Sequence, residues 1–293
     1  MRKTLCVIIT ISAAMAFARN ARNASDEAED KGYPPQLSNT RVETYRTIGS
    51  INLNLWIFGE SDPKVPKPAI VFFFGGGWNK GSPAAFEDQA RHFAKRGMIA
   101  IAADYRVKSR NNVQVMECVK DAKAAIAWVR GNAQRLGIDP KKIAASGGSA
   151  GGHLAAATGT ISGFDSDERP NAMILFNPAC TLAPIAGWSP SPVKADSAAL
   201  SSNRFGVEAE TISPAHHIGP HTPPTLILHG TADKTVPYDS VVAFESEMKR
   251  AGRPCKLVPY EGAGHGFFNG GEYYSKTLAE ADAFLVELGW IKK

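Results

Sequence analysis

Within this 293-residue chain, Gly147-Gly148-Ser149-Ala150-Gly151 is the segment best suited to covalent chemistry. The G-x-S-x-G spacing sets a serine on a turn so sharp that its neighbours two positions away must be tiny. Gly147 and Gly151 meet that need. Serine is a poor nucleophile at its own pKa and requires a base. Of the 7 histidines, His265 is the best placed. It lies in Gly262-Ala263-Gly264-His265-Gly266-Phe267, a flexible loop able to swing an imidazole towards Ser149. The base in turn needs a carboxylate to fix its tautomer and stabilise the imidazolium that forms. Asp233, in His229-Gly230-Thr231-Ala232-Asp233-Lys234-Thr235-Val236-Pro237, is the candidate. The chain order is then nucleophile, acid, base: Ser149, Asp233, His265.

Acyl transfer also needs donors for the developing oxyanion. Phe74-Gly75-Gly76-Gly77-Trp78 has the glycines to bend backbone amides towards a serine. Gly76 and Gly77 are the expected donors, with the amide of Ala150 at a helix N-terminus. Trp78 and Phe267, with Trp188 and Phe205, are candidates to line an apolar substrate pocket. His216, His217 and His221 sit among Pro214, Pro220 and Pro223 without an acidic partner at ligand spacing, so no catalytic metal is predicted. No cofactor is predicted either. His153 and His229 read as packed structural residues, and Asp104-Tyr105-Arg106 as a structural polar cluster at a strand end.

These residues must be positioned by regular elements. Ile51, Leu53, Leu55 and Ile57 alternate with their neighbours in a period-two strand. Gly49-Ser50 separates it from a strand-like run near Val42 to Ile48, which predicts an antiparallel hairpin. Ala69 to Phe74 and Met98 to Ala103 are continuous apolar runs, as expected for strands covered on both faces. Further strands are predicted at Ile143 to Ala145, Ala172 to Phe176, Leu226 to Leu228 and Lys256 to Tyr260. Between them lie helical patterns. Ser82 and Pro83 start one helix, and Met116, Val119, Ala122, Ile126 and Val129 mark a long one. Another begins near Ala150, and two more carry Val241, Phe244 and Met248, and Leu278, Ala281 and Leu285. Alternating strands and helices predict an α/β fold with a mostly parallel sheet and helices on both faces. Such sheets carry their chemistry at the carboxyl ends of the strands.

The composition agrees with one globular domain. Hydrophobic residues make up 44% and charged residues 21%, which excludes a wholly disordered chain. The formal charge is +5, and loss of Arg2 and Lys3 would leave +3 without any basic run. Nucleic acid is therefore not an expected partner. Residues 1–18 read as a signal peptide: Arg2 and Lys3 form the charged start, Leu5 to Phe17 is apolar, and Ala16-Phe17-Ala18 fits the cleavage rule. Export to the periplasm or the extracellular space follows, with no stable membrane insertion after cleavage. Residues 19–40 are expected to be a mobile leader, with Asn23-Ala24-Ser25 as a weak glycosylation signal. Residues 41–293 form the expected single domain, with a short insertion near 178–224. Cleavage leaves Cys118, Cys180 and Cys255, none at zinc spacing, with Cys118 expected in the core.

Taken together, these motifs, with Gly152-His153-Leu154 after the serine turn and Gly264-His265-Gly266-Phe267, resemble the α/β-hydrolase superfamily. The resemblance is to the esterase and lipase branch near hormone-sensitive lipase and the bacterial acetyl and feruloyl carbohydrate esterases. It spans about residues 41 to 293. It implies a serine carboxylesterase acting on short acyl esters, carried by small molecules or polysaccharide. In that family a histidine usually precedes the oxyanion glycines. Phe74 stands there instead, so the backbone donors remain while one polar support for the loop is lost. The insertion is short for a lipase cap, which implies an open site. Two alternatives stand beside this reading. One is an amidase or peptidase of formamidase or prolyl-oligopeptidase type; the other is a non-catalytic binding module on a hydrolase scaffold.

Overall fold

The computed structural model describes residues 33–163, 169–190 and 202–293. The expected signal peptide and Asn23 lie outside the described residues, as does most of the expected leader. The chain divides into Met1–Gln36 and Leu37–Lys293, and the architecture that follows is that of the second unit.

Among the described residues, eight strands form one sheet. They are β1 (Arg41–Ile48), β2 (Ile51–Phe58), β3 (Lys67–Phe73), β4 (Ile99–Ala103), β5 (Ile138–Gly148), β6 (Ala172–Phe176), β7 (Thr225–Gly230) and β8 (Cys255–Tyr260). Their spatial order is β1-β2-β4-β3-β5-β6-β7-β8. The β1–β2 hairpin is antiparallel and joins β4 in antiparallel register. All other pairs are parallel. The α-helices among the described residues are α1 (Glu87–Lys95), α2 (Lys108–Asn111), α3 (Val115–Gly131), α4 (Ala150–Thr160), α5 (Ser202–Phe205), α6 (Ala209–Ile212), α7 (Tyr238–Arg250) and α8 (Gly271–Glu287).

The continuous apolar runs have a simple cause. Val71 and Phe73 of β3 face one core, shared with Val119 and Ile126 of α3, Leu154 of α4 and Phe244 of α7. Their neighbours Ile70 and Phe72 face the other, shared with Phe93 of α1 and Leu278 and Leu285 of α8. Each strand residue is buried on whichever side it points, so period-two alternation of polarity disappears. Burial of this kind stabilises by roughly 25 cal/mol per Å² of apolar surface removed from water.

Two local expectations shift. Ser82 does cap, accepting from the Ala84 amide, but Pro83–Phe86 is a 3₁₀ turn and α1 begins only at Glu87. The strand expected at Ile143 to Ala145 is the inner part of an 11-residue β5. Its polar start pairs with β3 across a register shift between Lys67 and Ala69. There the Lys141 amide donates to Asp139 Oδ1 at 2.9 Å, a local bond that apolar patterning does not reveal.

Buried charge is paired at the strand ends. Asp121 of α3 receives Arg106 Nε at 2.7 Å and Nη2 at 2.9 Å. Tyr45 donates to the Asp104 carbonyl at 2.7 Å. Lys123 is fully buried and donates to the Ile161 carbonyl at the end of α4, at 2.6 Å. The Asp104-Tyr105-Arg106 segment is thus tied into the fold, and Tyr105 also reaches the candidate site. Cys118 and Cys180 are buried and Cys255 is half-buried, all as free thiols.

Candidate active site

The carboxyl ends of β5, β7 and β8 bring Ser149, Asp233 and His265 together. Ser149 lies between β5 and α4 with φ 54° and ψ −117°, outside the regions that L-residues favour. Such a conformation costs on the order of 1–3 kcal/mol and persists only when the surroundings fix it. Here they do. The Ser149 amide donates to the Phe176 carbonyl at 3.0 Å, and its carbonyl accepts from His153 at 2.9 Å. The tiny neighbours are a steric necessity. A Cβ on Gly147 would lie 2.5 Å from Gly151 C, and one on Gly151 would lie 2.0 Å from Phe73 O.

His265 Nε2 lies 2.9 Å from Ser149 Oγ, and its Nδ1 lies 2.7 Å from Asp233 Oδ2. A carboxylate can only accept, so Nδ1 carries the proton and Nε2 is free to accept the serine hydroxyl. Asp233 Oδ1 accepts from the amides of Thr235 at 2.8 Å and Val236 at 2.9 Å. Burial pushes the Asp233 carboxyl up, but the bonds from His265, Val236 and Thr235 outweigh it and hold the group below its ordinary value. His229 is buried beside it, with Nε2 donating to Val236 O at 3.0 Å, and burial lowers its pKa.

The loops carrying the acid and the base are stitched together. Thr231 donates its amide to Tyr260 O, and Ala232 donates to Ala263 O, both at 3.0 Å. This approach needs Gly230, where a Cβ would lie 2.3 Å from Ala263 O. Asn177 completes the frame. It is buried at the end of β6 with φ 34°, and its Oδ1 accepts from the Gly266 amide at 3.1 Å, next to His265. Sequence reasoning missed Asn177. Asn177-Pro178 after a strand signals a turn, but nothing local aims the amide at a loop nearly ninety positions onward.

The glycine loop after β3 packs on the serine turn. A Cβ on Gly75 would lie 3.6 Å from Ser149 Cβ. Gly76 and Gly77 have φ of 116° and 61°, backbone that favours glycine. Ala150 is the first residue of α4, where the amide has no intrahelical acceptor. Phe74 is buried and stacks on Tyr105 at 4.0 Å, while the Tyr105 hydroxyl donates to Phe74 O at 2.7 Å. Arg110 donates to Gly81 O at 2.7 Å. Polar support for the loop therefore comes from Tyr105 and Arg110, where the sequence suggested it was missing.

Two sequence expectations about aromatic residues need correction. Trp78 does not line an open pocket: it is 3% exposed, its Nε1 donates to His153 Nδ1 at 3.1 Å, and Phe205 packs edge-on against it. The polar indole edge finds its partner inside the fold, which draws the ring into the core. Phe205 is buried with it. Phe267 is half-buried against Tyr260 and Tyr273, two residues after His265. His153 is fully buried, which pulls its pKa down to about 4 and keeps it neutral. Its Nε2 donates to Ile212 O at 2.7 Å. His216 and His217 contact the carbonyls of Pro184 and Glu210.

Residues 55–248 match the BD-FAE family model. The chain belongs to the BD-FAE family. This is an α/β-hydrolase family of esterase and lipase type, in agreement with the sheet described above. Among solved structures, Thermogutta terrifontis esterase 2 phosphonylated by sarin superposes with a TM-score of 0.85 at 47% identity, covering 89% of this chain and 99% of that one. The same esterase has been solved with propionate bound and with butyrate bound. Esterase LipC of Mycobacterium tuberculosis is 28% identical over 224 residues, 70% of this chain and 54% of LipC. An acetylxylan esterase of Xylanibacter ruminicola is 28% identical over 229 residues, 76% of this chain and 45% of that enzyme. The chain spans about half the length of these curated relatives.

Proposed function

We propose that this BD-FAE member is a serine carboxylesterase that hydrolyses short acyl esters through an acyl-enzyme. The unbroken chain of bonds from Asp233 through His265 to Ser149, at 2.7 and 2.9 Å, carries the reading. Ser149 Oγ forms a bond to the ester carbonyl carbon, and its proton passes to His265 Nε2. The tetrahedral oxyanion is held by the amides of Gly76, Gly77 and Ala150. Its collapse breaks the bond to the alcohol oxygen, which takes the proton from His265. Water then attacks the acyl-enzyme by the same route and releases the acid. Asp233 stays ionised and stabilises the imidazolium formed in each half.

The acyl group is proposed to be short, with acetyl groups on polysaccharide as the natural class and the larger aromatic feruloyl group as the variant. A relative named for acetylxylan, and a structural neighbour solved with propionate and butyrate, support a short acyl chain. Phe267, half-buried beside His265, is the aromatic candidate for the substrate wall. Export is proposed from the charged and apolar N-terminal residues.

The test is hydrolysis of p-nitrophenyl acetate, butyrate, octanoate and laurate by the full chain and by Ser149→Ala. Activity should fall steeply with chain length, and Ser149→Ala should lose at least about 10⁴-fold in kcat. Undiminished turnover by Ser149→Ala would overturn the mechanism. Faster turnover of laurate than of acetate would overturn the short-acyl reading.

A further inference from the structure

Trp78 adjoins the proposed donors Gly76 and Gly77, and its own backbone is unusual. Its φ is 56°, in the left-handed region where a bulky aromatic residue is rarely found. It is held there from several sides. The indole N–H is fixed by His153, whose ring also meets it edge-on at 5.2 Å. The Trp78 carbonyl accepts from the Lys108 amide at 3.1 Å. The same carbonyl accepts from Nη2 of Arg204.

Arg204 belongs to α5, in the long connection between β6 and β7. It is 6% exposed, and its Nη1 donates to Val113 O at 3.0 Å. Both of its described hydrogen bonds go to main-chain carbonyls. A buried cation is costly unless its bonds compensate it, and charge-assisted bonds are roughly twice as strong as neutral ones. The adjoining Phe205 packs against the Trp78 ring at 6.2 Å, so α5 grips both the main chain and the side chain of one residue.

We propose that Arg204 is a positioning residue for the oxyanion loop, and that through it α5 sets the aim of the Gly76 and Gly77 amides. This rests on the acyl-enzyme reading given above. The Gly77–Trp78 peptide is planar and passes rotation at Trp78 directly to its neighbour. Loss of Arg204 leaves the Trp78 carbonyl with the Lys108 amide alone, and Trp78 is then freer to turn towards negative φ. Gly77 and Gly76 then absorb the change, since neither has a side chain to resist it. Substrate still binds, but the donors no longer meet the oxyanion.

The test compares full-chain wild type, Arg204→Ala, Arg204→Lys and Ser149→Ala on p-nitrophenyl acetate, with a trifluoromethyl ketone as the tetrahedral analogue. Arg204→Ala should lower kcat about 10- to 100-fold, less than loss of a whole donor, with KM within about twofold. Affinity for the ketone should fall by the same factor as kcat/KM. Arg204→Lys should recover part of kcat. An open polar cavity of about 450 Å³, lined by Lys108, Asn112, Gln114, Glu117, Asn203 and Arg204, gives solutes access to the vacated position. Millimolar guanidinium should therefore raise kcat of Arg204→Ala, while equal sodium chloride should not. A kcat for Arg204→Ala within about twofold of wild type would overturn the proposal, as would a loss of kcat with unchanged ketone affinity. Should Arg204→Ala fail to fold, Arg204→Lys against wild type decides by the same split of kcat from KM. An active Ser149→Ala would instead remove the acyl-enzyme reading, a result separate from either.

Discussion

Asn177 acts on the proposed base without touching it. Its Oδ1 holds the Gly266 amide, and Gly266 follows His265 directly. Asn177→Gly removes that bond and tolerates the φ of 34° without strain. The expected outcome is a fall in kcat of about tenfold with little change in KM, because an imidazole displaced by a fraction of an ångström no longer meets Ser149 in line. Steady-state kinetics on p-nitrophenyl acetate check it. At this scale the sequence was most informative where chemistry demands a residue type within a short motif. Ser149, Asp233 and His265 each sit in such a motif, and their hydrogen bonds join them as their order suggests. It was least informative where a long-range partner decides. Trp78 read as a pocket wall because nothing near it in the chain announces His153 as the acceptor for its indole. Arg204 drew no attention at all, since its partners lie at Trp78 and Val113.

Beside the side-chain bonds, close approach of backbone helps to hold the elements that frame the site. Gly151 at the start of α4 lets the helix sit against the end of β3, where a methyl group would come within 2.0 Å of Phe73 O. Gly151→Ala should therefore force β3 and α4 apart, destabilising the fold by on the order of 3 kcal/mol. Its urea midpoint should drop, and esterase activity should fall with it. Unchanged stability and activity would mean that the turn accommodates the methyl without cost. The apolar runs of β3, β4, β6 and β7 made those strands legible, and the spacing of Val119, Ala122, Ile126 and Val129 did the same for α3. The outer part of β5 was not legible. Its Asp139-Pro140-Lys141-Lys142 start is polar, and it pairs with β3 only through an irregular register.

On the scale of the whole molecule, stability should depend on acidity through its buried imidazoles. His153 has a pKa of about 4 in the fold, against about 6.5 in an unfolded chain. As pH falls below the unfolded value, the unfolded chain takes up a proton that the fold refuses. Stability is therefore lost progressively until the pH reaches about 4. That difference corresponds to about 3 kcal/mol in all, with about 2 kcal/mol of it gone by pH 5. His229, also lowered by burial, adds in the same direction. Urea unfolding at pH 7 and pH 5 measures the loss, and His153→Asn should show a flatter dependence. A wild-type curve with no fall between those two values would contradict it.

The sulfur chemistry of the fold has a practical consequence. Burial pushes the thiols of Cys118 and Cys255 up to about 12 and that of Cys180 up as well. The thiolate, not the thiol, attacks electrophiles, so near neutrality these three sulfurs are silent while the sheet stays closed. All three border the core on one face of the sheet: Cys118 on α3 and Cys180 after β6 lie within it, and Cys255 on the edge strand β8 packs against it. An alkylating reagent added to the native protein therefore works as a clock. Its reaction at each sulfur, read by peptide mass, times how often that part of the core breathes open, with no label added and no residue changed.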